Sequence, residues 1–166
     1  MKSNYQKGFT LVDTLVYVAI LVIVSTAGVY FMISLSEVLT QYRIDTALYR
    51  SGTSAMEQIL VGIRQAESFD SVTSVVDDPT AGIFAATRGA SSTEVAFVGN
   101  ELQLTLDGQP YGPMTDPQIS VAHFTVFQHP TADGELIRVR LHLEASINGV
   151  NKGMTFYGGA IIRGDV

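Results

Sequence analysis

Residues Thr14–Ser36 read TLVYVAILVIVSTAGVYFMISLS, 23 consecutive positions without a charge. As a helix rising about 1.5 Å per residue, this run extends on the order of 35 Å, more than the roughly 30 Å hydrocarbon core of a bilayer. Leu15, Val16, Val18, Ile20, Leu21, Val22, Ile23 and Val24 leave no polar side around the helix, a pattern of lipid burial rather than of a half-exposed surface helix. The segment is therefore long and apolar enough to cross a membrane. Upstream, Lys2 and Lys7 place the amino end in the cytoplasm by the positive-inside rule and direct the rest of the chain outward.

One acid, Asp13, stands between that basic leader and the apolar run. An aspartate in a membrane helix costs about 2.5–3.5 kcal/mol on insertion scales unless it finds a partner. It therefore needs a cation, or a position at the headgroup level where water reaches it. An ordinary secretory signal is a competing reading of the region, because Ser25-Thr26-Ala27-Gly28 supplies small residues after an apolar stretch and invites cleavage there. Against it stand the further apolar run Val29-Tyr30-Phe31-Met32-Ile33 and the position of Asp13.

The stretch Lys7-Gly8-Phe9-Thr10-Leu11-Val12-Asp13, followed by the long apolar helix, resembles the type IV prepilin signal shared by type IV pilins and type II secretion pseudopilins. The resemblance implies cleavage by a prepilin peptidase between Gly8 and Phe9, N-methylation of Phe9, and retention of the apolar helix as membrane anchor and then filament core. Cleavage there would free the α-amino group of Phe9 four residues before Asp13, so that the carboxylate meets the amine of its own or a neighbouring subunit. A buried pair of this kind specifies register more than it adds net stability. The family usually carries Glu where this chain has Asp13, one methylene shorter.

The chain has 166 residues, and those beyond the apolar run suffice for one modest globular domain. Its formal net charge is -6, and loss of residues 1–8, with both leader lysines, would make it -8. An acidic product repels phosphate backbones, which makes nucleic acid an unfavourable partner. No cysteine is present, so neither a disulfide framework nor a thiolate metal site can form.

From Glu37 onward charges return, and Gly52, Ala55, Met56, Ile59, Ile63 and Ala66 recur at spacings of three and four, predicting an amphipathic helix whose apolar stripe packs on a sheet. No proline precedes Pro79, so a single helix can run from about Thr10 to about Ser68. Many pilins carry a proline in the membrane half; here Gly28, beside Ser25 and Thr26, is the expected soft point. Residues 70–93 read as a loop with a strand at 82–87. Strands are expected at 94–98, 102–106, 119–127, 136–147 and 153–162, punctuated by Asp107-Gly108, Asp133-Gly134 and Asn148-Gly149. In the strand 136–147, Ile137, Val139, Leu141 and Leu143 face one way, toward the helix, while Arg138, Arg140, His142 and Glu144 face the other.

The expected architecture is α+β: leader 1–8, apolar helix 9–36, amphipathic helix 37–69 and a β-rich domain 70–166 with an antiparallel meander of four or five strands. This order fits the pilin fold. Many pilins fasten the carboxyl-terminal loop by a disulfide, and here strand pairing alone must hold it.

Catalytic motifs are missing. His123, His129 and His142 are expected in different settings, without metal-ligand spacing, and Asp77-Asp78 lacks the alternate spacing of a dedicated calcium loop. There is no nucleophile elbow or phosphate loop, so no catalytic residue, cofactor or metal is assigned. The resemblance implies a structural subunit, closer to minor pilins and minor pseudopilins than to a major subunit. Its expected partners are the prepilin peptidase, other pilin or pseudopilin subunits, and the bacterial cytoplasmic membrane as a single-pass precursor before a cell-surface or extracytoplasmic filament. The alternatives are a displayed binding module, an adhesin or DNA-capturing subunit using the Arg138, Arg140, His142 stripe, and a protein released by an ordinary signal peptide.

Overall fold

The computed structural model describes residues 11–131 and 134–162. A single helix α1, Leu11–Gln65, is followed by β1 (Ser68–Phe69), β2 (Ile83–Arg88), β3 (Ser91–Val98), β4 (Glu101–Leu106), β5 (Gln109–Pro113), β6 (Ile119–Thr131), β7 (Gly134–Ile147) and β8 (Val150–Ile162). The architecture is α+β, as the order of periodicities predicts. Every strand pairing is antiparallel, but the strands form two sheets rather than one, β1-β2-β3-β4-β5 and β6-β7-β8. The chain divides into two compact units, one ending at Gln41 and one beginning at Tyr42.

The second unit holds the core. Ile44, Leu48, Ala55, Met56, Ile59 and Ile63 form the buried stripe of α1, at the three-and-four spacing of one helix face. They share one cluster with Phe84 and Val95 of the five-stranded sheet and with Phe124, Ile137, Leu141 and Leu143 of the three-stranded one. Close approach of helix and sheet is secured by two glycines. A methyl group at Gly52 would overlap the ring of Phe156, and one at Gly158 would lie 2.5 Å from Met56 Cε.

Turn chemistry sets the registers. Asp107-Gly108 and Asn148-Gly149 both take positive φ at both positions, the mirror-image two-residue turn whose twist matches paired strands. Gly99 and Asn100 do the same between β3 and β4, a hairpin turn additional to the three expected from Asp-Gly and Asn-Gly pairs. Asp107 ties its turn down by accepting the backbone N–H of Ser92 at 2.8 Å while donating its own N–H to the Ser92 carbonyl.

Strand β5 is not among the expected strands; it carries Pro110 and Pro113, residues unsuited to a central strand. It lies at the edge of its sheet beside a register shift at Leu104/Thr105, where missing N–H groups cost no ladder bond. Asp133 of the expected turn before β7 lies outside the described residues.

Candidate functional site

The site best marked by the structure is the first part of α1. Every residue from 11 to 39 is exposed, and none of the apolar window that qualifies the helix to cross a membrane is buried. An apolar helix in a soluble core would be covered by its own chain; this one is not. Single exposed leucines need no explanation, but a surface apolar all round for this length is far beyond an ordinary water-facing patch. Val12, Ile23 and Phe31 remain 67, 68 and 68 % exposed.

Its polar groups are quiet. Thr26 Oγ1 donates to the Val22 carbonyl at 2.8 Å, and Thr40 Oγ1 to the Ser36 carbonyl at 2.9 Å, so these hydroxyls are satisfied within the helix and need no water. The helix passes unbroken through Ser25-Thr26-Ala27-Gly28, and among the described residues nothing outside the helix backbone lies within 4 Å of a methyl group placed at Gly28. Asp13 sits in the first described turn, its side chain on the exposed helix surface. Lys2, Lys7, Gly8 and Phe9, the expected leader and cleavage junction, lie outside the described residues.

A second surface is the face of the three-stranded sheet turned away from α1. Leu141 pairs with Phe124 and Phe156 on the buried face, which places Arg138, Arg140, His142 and Glu144 on the other, as the alternation predicts. Cross-strand pairing adds residues that lie far from these in sequence. Phe127 lies opposite Arg138, and Tyr157 opposite Arg140. The Arg140 guanidinium carbon sits 5.6 Å from the Phe127 ring centroid, a cation–π contact. A sequence signal for the Tyr157 pairing exists: the two-residue turn Asn148-Gly149 sets Ile147 opposite Val150, and counting outward sets Arg140 opposite Tyr157.

The expectation for the histidines is corrected. His123 and His142 do not occupy different settings; they are cross-strand neighbours with stacked rings whose centroids are 6.0 Å apart. A bulge between Val121 and His123 shifts the phase of β6, so that Ile119 and Val121 point inward before it and Phe124 and Val126 after it. That shift brings His123 onto the outer face. His142 Nδ1 lies 2.7 Å from Thr155 Oγ1 and its Nε2 3.4 Å from Glu144 Oε1. Among the described residues no group of three or more His, Asp or Glu is arranged to hold a metal ion.

Asp77-Asp78 is used by its own loop. Asp78 Oδ1 accepts the backbone N–H of Thr80 at 2.8 Å, the Thr80 hydroxyl at 2.8 Å and the Ala81 N–H at 3.2 Å, which hold its carboxyl below the usual value of 3.8. Asp70 is lowered in the same way, first by the Thr73 hydroxyl at 2.7 Å and then by the N–H groups of Val72 and Thr73. The Asp77 N–H donates to the Val126 carbonyl at 2.9 Å, docking the loop on β6.

No family model, curated protein or solved structure matches the chain. The functional reading rests on the residues themselves.

Proposed function

We propose that this chain is a structural subunit of a type IV pilus or type II secretion pseudopilus, made as a prepilin and assembled through its apolar helix. The observation that carries the reading is the helix surface from 11 to 39, exposed throughout and apolar on all sides between Asp13 and Glu37, continuing into a helix that is buried against sheets in its second half. The first half requires an apolar medium, and a bilayer followed by the helices of neighbouring subunits supplies one at each stage. In this reading a prepilin peptidase cuts between Gly8 and Phe9 and Phe9 receives one methyl group. The freed amine then pairs with Asp13 across or within subunits, and the precursor waits in the bacterial cytoplasmic membrane with its amino end inside.

The resemblance of Lys7-Gly8-Phe9-Thr10-Leu11-Val12-Asp13 to the prepilin signal supports this order of events, and the absence of cysteine leaves strand pairing to hold the carboxyl-terminal β8. Intact-mass and amino-terminal analysis of the protein made beside a prepilin peptidase tests it. A start at Phe9 bearing one methyl is expected. A start at Gly28 would mean ordinary secretion, and an uncut leader on a working protein would end the assembly reading.

A further inference from the structure

Charge is segregated along this chain. Residues 65–118, which end before β6, hold eight of the sixteen acids against a single arginine, Arg88, a formal charge of -7 in a chain whose net charge is -6. The acids include Glu67, Asp70, Asp77 and Asp78, in or beside the loop between β1 and β2, which has no cation. That loop also displays an apolar tip. The hydrogen bonds to the Asp70 carboxylate fix a tight turn and leave Val72 93 % exposed, with Val76 exposed further along.

The outer face of the three-stranded sheet is the complement in both respects. It presents Arg138 and Arg140, together with Phe127 under the Arg140 guanidinium, Tyr157 at 75 % exposure and Ile161 at 46 %. Tyrosine, phenylalanine and arginine are the residue types enriched where proteins dock, and an exposed face that gathers them on rigid strands is preorganised to receive a partner. Gly159, opposite Arg138, leaves a flat place beside the arginine stem.

We propose that the outer face of β6, β7 and β8 docks the acidic β1–β2 loop of a second copy of this chain, Val72 packing among Tyr157 and the arginine stems while Asp77 and Asp78 meet Arg138 and Arg140. The contact joins two different surfaces. It is therefore head-to-tail, and repeats into an open array rather than closing a two-fold pair. A nucleic-acid backbone is a polyanion along its whole length and meets Glu144 and the net charge of -6, whereas the β1–β2 loop brings a few acids to the two arginines together with an apolar tip, Val72, that a phosphate backbone lacks. The inference rests on the assembly reading and adds to it a contact outside the apolar helix.

The natural chain has no cysteine, so introduced ones report without background. Full-length chains carrying Val72→Cys and Tyr157→Cys, under different tags and made beside a prepilin peptidase, are expected to form a mixed disulfide in membranes. One chain with both substitutions should give a ladder of oligomers. Arg138→Glu with Arg140→Glu on the Tyr157→Cys chain should lower the mixed disulfide by about tenfold, and Asp77→Arg with Asp78→Arg on the Val72→Cys chain should restore it. Circular dichroism of the reversed variants checks that the sheets remain folded.

A Val22→Cys chain separates the two levels of failure. Self-linking at Val22 without any Val72–Tyr157 link overturns the docking inference and leaves assembly standing, while loss of both counts against assembly as well. Homodimers of the Tyr157→Cys chain alone would point to a two-fold contact and overturn the inference. So would binding of a labelled thymidine oligonucleotide at low salt that disappears in the Arg138→Glu, Arg140→Glu variant, since the face would then serve a nucleic acid.

Discussion

Residues 11–39 and 44–63 belong to one helix and follow the same backbone rule, yet their side chains meet opposite surroundings. The earlier stretch is exposed throughout and, between Asp13 and Glu37, apolar on every side. The later one is polar on most of its surface and hides one stripe, Ile44, Leu48, Ala55, Met56, Ile59 and Ile63, against sheets. Helix formation is thus not what distinguishes them. The later stretch is stabilised by burial that the chain supplies, at about 25 cal/mol per Å² of apolar surface; the earlier one has to find that burial elsewhere. The largest test of the difference places the same charge in each. Ile59→Lys puts an unpaired ammonium into the core and is expected to cost about 4 kcal/mol or more of folding stability, read by urea unfolding in detergent. Val22→Lys should leave that unfolding curve unchanged and instead weaken membrane insertion by about 2.5–3.5 kcal/mol, read by alkaline extraction of membranes. A common effect on the unfolding curve would abolish the distinction.

Two glycines sharpen it. Alanine is a better helix former than glycine by about 1 kcal/mol, and Gly28→Ala should realise that gain because no described residue approaches the added methyl. Gly52→Ala gains the same propensity but drives its methyl into the Phe156 ring, so a net loss of about 1–3 kcal/mol is expected from overpacking. Thermal unfolding followed by circular dichroism in detergent gives both signs. Equal effects at Gly28 and Gly52 would mean that the later half is not packed as tightly as its contacts imply.

Much of this contrast is legible in the amino-acid sequence alone. The period of 3.6 in Ala55, Met56, Ile59 and Ile63 and the period of two in Ile137, Val139, Leu141 and Leu143 each specify one buried face, and all eight residues are buried. Asn-Gly and Asp-Gly turns are local, and the sequence reveals them because only a few residues tolerate positive φ. What stays hidden depends on residues far apart. The bulge that turns His123 toward His142 has no local signature, and the split into two sheets is a matter of which strands pair, not of any strand's own pattern. For the exposed helix, sequence and structure carry the same information, since no other described part of the chain covers it.

A smaller effect concerns how the later stretch is fixed. Lys152 Nζ donates to both carboxylate oxygens of Asp45, at 2.9 and 2.7 Å, joining β8 to α1 across 107 positions of sequence. Both side chains remain partly exposed, so the pair contributes at most about 1 kcal/mol. Asp45→Asn should lower stability by roughly 0.5 kcal/mol at low salt, and the difference should shrink at high salt as screening removes what the wild type gains. A loss that is large and independent of salt would mean that Asp45 acts through packing instead.

The smallest expected change is a titration in the loop that follows α1, outside both stretches compared. Asp70 and Asp78 have folded values below 3.8, so their hydrogen bonds favour the folded loop at pH above that value, and this contribution is lost as pH falls through the lowered values. Amides of Val72, Thr80 and Ala81 should therefore exchange faster in strong acid while helicity of α1 stays level. The two acids differ in what holds them: the Thr73 hydroxyl is the strongest influence on Asp70, whereas for Asp78 the Thr80 backbone N–H outranks the Thr80 hydroxyl. Thr73→Val should consequently move Asp70 back toward 3.8, as read by carboxyl carbon shifts against pH. If Thr73→Val left Asp70 unmoved, the backbone N–H groups of Val72 and Thr73 rather than the threonine hydroxyl would be holding the Asp70 turn that presents Val72.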